Sequence, residues 1–150
     1  MSREPQDPGF EARVRDSFAR QRVMETLGAR LVRVAPGEVE LELPYRADLT
    51  QQHGFLHAGV VTTVLDSACG YAAFSLMPAD AAVLSIEFKT NLLAPARGEL
   101  LRARGRVVRA GRTVTVCEGE AWMLEGGDER HVAAMLATMM TVRGREGLVG

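Results

Sequence analysis

The chain has 150 residues, 47% of them hydrophobic and 25% charged, with a formal net charge of -1. That length fits one domain with a real core, and the near-neutral balance excludes a nucleic-acid partner held by phosphate charge. Two cysteines, Cys69 and Cys117, lie in apolar surroundings, which excludes a disulfide framework and predicts reduced thiols in a cytoplasmic protein; the charged start MSREPQDPGFEARVRDS predicts no signal peptide.

Residues 1–8 read as loose, and the whole chain as a single domain. Phe10, Val14, Phe18, Val23, Met24 and Leu27 recur at helical spacing among arginines, so one amphipathic helix is predicted over 10–27, closed by Gly28. Residues 29–34 and 38–43 read as two strands joined by a Pro36-Gly37 turn. In the second, Val39, Leu41 and Leu43 alternate with Glu38, Glu40 and Glu42, giving one buried and one wet face. A loop over 45–56 leads to a long apolar helix over 57–76, stopped by Pro78. The apolar run 54–77 is long enough for a bilayer, but Asp66, His57 and several Gly, Ser and Thr residues predict a buried helix and no membrane partner.

Four strands follow, over 83–93, 99–109, 113–124 and 130–143, with turns at 95–98, Ala110-Gly111 and Gly126-Gly127-Asp128. In the second, Leu101, Ala103, Gly105 and Val107 alternate against Arg102, Arg104 and Arg106. Short turns between the four predict an antiparallel meander. The sum is an α+β protein with a curved antiparallel sheet around one long central helix.

Asp66 is the one formal charge between Gln51 and Met77. A carboxylate in such surroundings is costly to bury unless it is hydrogen-bonded or used. It reads either as a general base or nucleophile, or as a buried aspartate satisfied by backbone or by Thr62, Thr63 or Ser67. His57-Ala58-Gly59 opens the same helix. Unpaired N–H groups and the macrodipole there favour a polarised carbonyl oxygen, so the turn reads as an oxyanion hole or as an ordinary helix start. Seven residues separate Gly59 from Asp66, about 10 Å of helix, yet both must lie about 3 Å from the reacting atoms. One helix cannot readily do this alone. A homodimer is therefore expected, each helix giving its start to one site and Asp66 to the other.

Ser85, alternating with Val83 and Glu87, reads as a residue that holds a water or as a solvated strand serine. Gln51, Gln52 and His53 read as loop polar groups, and His57 as a cap that orients the turn. Cys69 reads as packing, and Met135, Met139 and Met140 as core or interface. No zinc-type Cys/His spacing, phosphate-binding Gly-rich loop, dinucleotide fingerprint or G-x-S-x-G elbow is present, so no metal or redox cofactor is expected.

The segments QQHGFLHAGVVTTVLDSACGYA and LSIEFKTNLLAPARGELLRARGRVVRAGRTVTVCEGEA together resemble the hotdog-fold acyl-CoA thioesterases, in particular the phenylacetate-degradation-type (PaaI-like) subfamily. The likeness covers about residues 20–143. It implies a hotdog fold and hydrolysis of an acyl-CoA thioester, with coenzyme A as part of the substrate and no other cofactor. Asp66 falls on the family's catalytic carboxylate. Ala58 and Gly59 fall on two glycines whose N–H groups polarise the thioester carbonyl. Gln51 falls where many members carry an asparagine, and Ser85 on a serine or threonine that assists the water. Shared sites and dimers of dimers are implied as well. The chain departs from the pattern at Ala58, a glycine in the family, and at Gln51, one methylene longer than asparagine. Arg97, Arg109 and Arg112, at or beside turns, are candidates for the phosphates of coenzyme A or are solvated loop arginines. Phe55, Leu56, Tyr71, Phe74 and Leu76 are candidates for the acyl pocket. Two rival readings remain, a non-catalytic acyl-CoA binder and an enoyl-thioester hydratase; the second lacks a D-x-N-x-x-H-type segment here.

Overall fold

A computed structural model describes residues 3–150. Six antiparallel strands form one sheet in the order β1-β2-β4-β5-β6-β3. They are β1 (Arg30–Ala35), β2 (Glu38–Pro44), β3 (Ala81–Leu92), β4 (Leu100–Ala110), β5 (Val114–Glu125) and β6 (Asp128–Arg143). Three helices accompany them, α1 (Phe10–Arg20), α2 (Arg22–Leu27) and α3 (Ala58–Phe74), with α3 lying across the sheet. This is the hotdog architecture.

The meander expected of the last four strands is half right. β4, β5 and β6 are consecutive neighbours, but β3 pairs with β6 at the far edge. Residues 93–99 carry the chain back across the ends of β5 and β6: Leu93 N–H donates to Val132 O (2.8 Å) and Glu99 N–H to Leu124 O (2.9 Å). Seven extended residues reach about 23 Å, ample for the roughly 14 Å that three strand spacings require. A short connection therefore does not imply a hairpin.

The single helix expected over 10–27 is two. Gln21 takes an extended conformation (φ -80°, ψ 95°) and ends α1, and α2 restarts behind it. Gly28 closes α2 in the left-handed region (φ 79°), its N–H donating to Met24 O (2.9 Å). The expected loose segment lies partly outside the described residues. Within it, Gln6 Nε2 donates to Leu76 O (3.2 Å) and Asp7 pairs with Arg13 (3.1 Å). Arg13 also donates to Phe74 O (3.1 Å), Met77 O (2.8 Å) and Pro78 O, so its guanidinium caps the C-terminus of α3 while lying over the Phe74 ring.

A glycine pair explains how α3 can lie so close to the sheet. Gly105 and Gly119 are partners across β4 and β5. A Cβ on Gly105 would stand 2.3 Å from the Ala68 carbonyl carbon, and one on Gly119 2.9 Å from Cys69 Sγ. Ala68 and Cys69 are the helix's side of this contact. The other side of the sheet is charged: Arg102 pairs with Glu40 (3.1 Å), Glu42 (3.2 Å) and Glu129 (3.1 Å), and Arg106 with Glu118. β3 forms one margin of the sheet, with Ile86 53%, Phe88 46% and Leu92 54% exposed. Among the described residues no helix is long and apolar enough to cross a membrane.

Candidate active site

Asp66 sits in the middle of α3, half-buried, on the side facing β3. Its Oδ1 accepts a hydrogen bond from Ser85 Oγ at 2.7 Å. The expectation that Ser85 shares a face with Glu87 is corrected by a bulge. Ser85 pairs with Met139 and Glu87 with Thr138, so Ile86 is the extra residue and the two side chains fall on opposite faces. Met139 is fully buried and Thr138 is not, which puts Ser85 on the helix side. The bulge is what turns a strand serine into a partner of the carboxylate. Thr62, Thr63 and Ser67 do not fill that role. Thr63 donates to Gly59 O (2.7 Å), and Ser67 donates to Gln21 Oε1 (2.9 Å).

The other half lies at the start of α3. His57 is the cap: its Nδ1 accepts from Gly59 N–H at 2.8 Å, which places its proton on Nε2. The Gly59 donor is therefore in use. Ala58 N–H makes no hydrogen bond among the described residues, and Ala58 and Gln51 both line a cavity of about 370 Å³. Gln51 Oε1 accepts from the His53 N–H, which leaves the Gln51 amide nitrogen as a second donor. At this end Gly59 N–H is engaged by His57, while Ala58 N–H and Gln51 Nε2 have no hydrogen-bond partner among the described residues.

The two halves are apart. Asp66 and Ser85 line one cavity, of about 300 Å³, while Ala58 and Gln51 line the other. Eight residues of α3 separate Ala58 from Asp66, about 12 Å of rise. Of the residues expected at the acyl group, Phe55 and Leu56 line the cavity at the helix start and Tyr71 the one at Asp66. Phe74 is fully buried and Leu76 lines a third cavity at the opposite end of α3, so neither adjoins Asp66.

The three arginines do not form one cluster within a subunit. Arg97 is exposed, directly after Ala96 of the helix-start cavity. Arg109 ends β4 and Arg112 lines the third cavity, about 30 Å of strand away. Arg130, two residues before Val132 of the helix-start cavity, is a cation that the spacing of turns did not single out. Neither Arg97 nor Arg130 makes an ion pair among the described residues, and both line a separate cavity that they share with Glu125, Asp128 and Glu129. Burial pushes the Cys69 thiol well up and that of Cys117 up to about 12, so both stay protonated. Among the described residues no three His, Cys, Asp or Glu side chains group as metal ligands would.

Residues 53–129 match the family model of the thioesterase superfamily. A thioesterase family protein from Silicibacter pomeroyi is 60% identical, covers 91% of this chain and 100% of its own, and superposes with a TM-score of 0.90. A Halobacterium salinarum protein that carries an esterase name is 37% identical over 101 residues, 64% of this chain and 66% of that protein. The 1,4-dihydroxy-2-naphthoyl-CoA hydrolase of Listeria monocytogenes is 27% identical over 96 residues, 64% of this chain and 78% of its own length. The PaaI protein of E. coli, at 16% identity, shares the fold over 97% of this chain and 99% of its own with a TM-score of 0.83.

Proposed function

The chain belongs to the thioesterase superfamily and is a hotdog-fold thioester hydrolase, and from that premise we propose that it hydrolyses acyl-CoA at a site completed by two subunits. The observation that carries this is the division of the machinery. Asp66 with Ser85 occupies one cavity, and Ala58 N–H with the Gln51 amide occupies another. β3 supplies the means to join them. Two copies of this edge paired antiparallel, with the two-fold between Phe88 and Lys89, set Ser85 of one opposite Leu92 of the other. Ser85 lines the first cavity and Leu92 the second. The exposed Ile86, Phe88 and Leu93 are then covered.

In that arrangement Asp66 takes a proton from water, and the water oxygen bonds to the thioester carbon. The carbonyl oxygen gains the charge and is held by Ala58 N–H and the Gln51 amide from the other subunit. Collapse breaks the C–S bond, the acid leaves, and the thiolate of coenzyme A takes up a proton. Ser85 orients the carboxylate, leaving Asp66 Oδ2 toward the water; direct attack by Asp66 on the carbonyl is the second route open to the same geometry. Arg97 and Arg130, which share a cavity with Glu125, Asp128 and Glu129, are the cations proposed for the phosphates. A further exposed apolar area, Leu84, Val114, Leu136 and Met140 on the outer face, supports pairing of dimers into a tetramer. Two thiols kept reduced by burial support a cytoplasmic setting.

The test uses two variants, each lacking one half. Asp66→Asn removes the base. Ala58→Pro removes the N–H at the first helical position, where proline is well tolerated, and His57 already has the extended conformation that precedes a proline (ψ 138°). Each is expected to lose about a hundredfold or more in CoA release. Mixed and allowed to exchange subunits, the two should regain activity, because each mixed dimer holds one complete site. No recovery on exchange would refute the shared site, and undiminished turnover by Asp66→Asn would remove that residue from the mechanism.

A further inference from the structure

The end of α3 farthest from Ala58 closes on the third cavity, of about 330 Å³, between the helix and the β4–β5 hairpin. The wall at the helix end is apolar, built from Ala73, Leu76 and Met77. The sheet wall is polar, and its deepest group is Thr115. This residue pairs with Ala110 on one side and Met139 on the other, and the burial of Met139 puts both side chains on the helix side of the sheet. Among the described residues three polar side chains are buried, Ser67, Ser75 and Thr115. Ser67 donates to Gln21 Oε1 (2.9 Å) and Ser75 to Ala72 O (2.7 Å). Thr115, 2% exposed, makes no side-chain hydrogen bond among them. Its hydroxyl has lost water without gaining a protein partner, a cost that buried polar groups rarely carry.

The chemistry of the missing partner follows from what surrounds it. The carbonyls at this end of α3 are taken: Arg13 donates to Phe74 O, Met77 O and Pro78 O, and Gln6 Nε2 to Leu76 O. Arg143, on the sheet wall, is held by Asp80 (3.0 Å). Arg112, at the hairpin, lines the cavity and makes no ion pair among the described residues. No carboxylate is among the described residues that line it. A buried hydroxyl and a cation are thus left to be met, beside an apolar wall. We propose that this cavity is a second ligand site, for a compact apolar monocarboxylate whose oxygens accept from Thr115 Oγ and pair with Arg112. Small-molecule sites run from about 300 to 1,000 Å³, so the volume here limits the ligand to a short fatty acid or a single-ring aryl acid. Such acids are also what the proposed hydrolysis releases, but the site is argued from its walls alone.

Titration of protein carrying isotope-labelled methionine methyl groups separates this site from the hydrolytic one. Met77 lines the cavity, whereas Met139 reports on the Asp66 side, because Ser85 Oγ lies 3.2 Å from its Sδ. Sodium hexanoate or benzoate should shift the Met77 signal saturably, with a dissociation constant below about 10 mM. Hexanamide and benzamide, of like shape without the charge, should not. Thr115→Val keeps the volume and should weaken binding about tenfold without lowering Tm, since it replaces an unpaired hydroxyl by a methyl. Arg112→Gln, at an exposed position, should weaken it about threefold. No Met77 shift below about 10 mM with either acid, an equal shift with the amides, or an affinity unchanged by either variant overturns the site. A fall of more than about 4 °C in the Tm of Thr115→Val also overturns it, because the hydroxyl would then be bonded within the fold. The Met77 titration should survive Asp66→Asn. Loss of the Met77 response with CoA release intact refutes this site alone, and the reverse refutes hydrolysis alone.

Discussion

Replacing Gly105 by alanine should damage both stability and turnover, and the size of each follows from where the new methyl lands. Its Cβ would lie 2.3 Å from both the carbon and the oxygen of the Ala68 carbonyl and 2.5 Å from Cys69 N. Ordinary contact begins at 3.4 Å, so the deficit is 3.4 − 2.3 = 1.1 Å. The obstacle is helix backbone, which no rotamer change relieves, and α3 must retreat from β4 by about that distance. Overpacking of this kind costs about 3 kcal/mol, at the upper part of the usual range, which for a chain of this size lowers Tm by roughly 6 to 12 °C. Asp66 lies two residues before Ala68 and moves with it, away from the 2.7 Å bond to Ser85. A misplacement of about 1 Å at a reacting group can lower kcat/KM about a hundredfold. Thermal melting followed by circular dichroism reads the first effect and CoA release the second. A variant melting within about 2 °C of the parent, with turnover within about twofold, would show that the glycine seam does not seat the helix.

Ser85→Ala removes the hydrogen bond to the carboxylate and is expected to lower kcat about tenfold with KM unchanged, since the bond is to a charged acceptor; steady-state kinetics check this. Arg13→Ala uncaps the carbonyls of Phe74, Met77 and Pro78 and should cost about 2 kcal/mol in urea denaturation, leaving the m-value unchanged. Gly70 has nothing within 4 Å of an added Cβ and lines the Asp66 cavity. Gly70→Ala should therefore stabilise α3 by about 1 kcal/mol while narrowing the cavity beside Asp66, which thermal melting and CoA release respectively check. Because burial holds both thiols protonated, a thiol-reactive dye at pH 8 should find neither Cys69 nor Cys117 in the native protein and both in denaturant. The sign of the linkage is fixed: an unfolded thiol ionises near 9 and the folded Cys117 near 12, so stability is full below pH 9 and drains away as pH rises between those values.

Much of the architecture could be read from side-chain period. Alternation in β2 and β4 gave their buried faces, Pro36-Gly37 and Gly126-Gly127 gave turns, and the apolar run before Pro78 gave α3. Three features escaped for a common reason, that they are decided by partners distant in sequence. The end of α1 at Gln21 carries no proline or glycine; a serine 46 residues away takes its side chain. The place of β3 beside β6 depends on which strand leaves an edge free, not on the length of its connection. The bulge at Ile86 has no compositional sign, and without it alternation assigns Ser85 to the same face as Glu87. Within the site, the glycine-like helix start pointed to backbone donors. Which donor stays free depended on His57 turning its ring back onto Gly59, a detail of rotamer that residue identity leaves open.

If the proposed shared site holds, the bare margin of β3 makes chain concentration a variable of the chemistry. A solitary copy carries an acid with no opposing amide hydrogens, together with open backbone groups that any extended segment can dock onto. Under the proposed pairing of two copies along β3, encounter between like copies both silences that stickiness and completes the reaction centre. On dilution below the dissociation constant, output per mole should fall in step with the fraction of paired chains, so that catalysis reports on assembly without any separate control element.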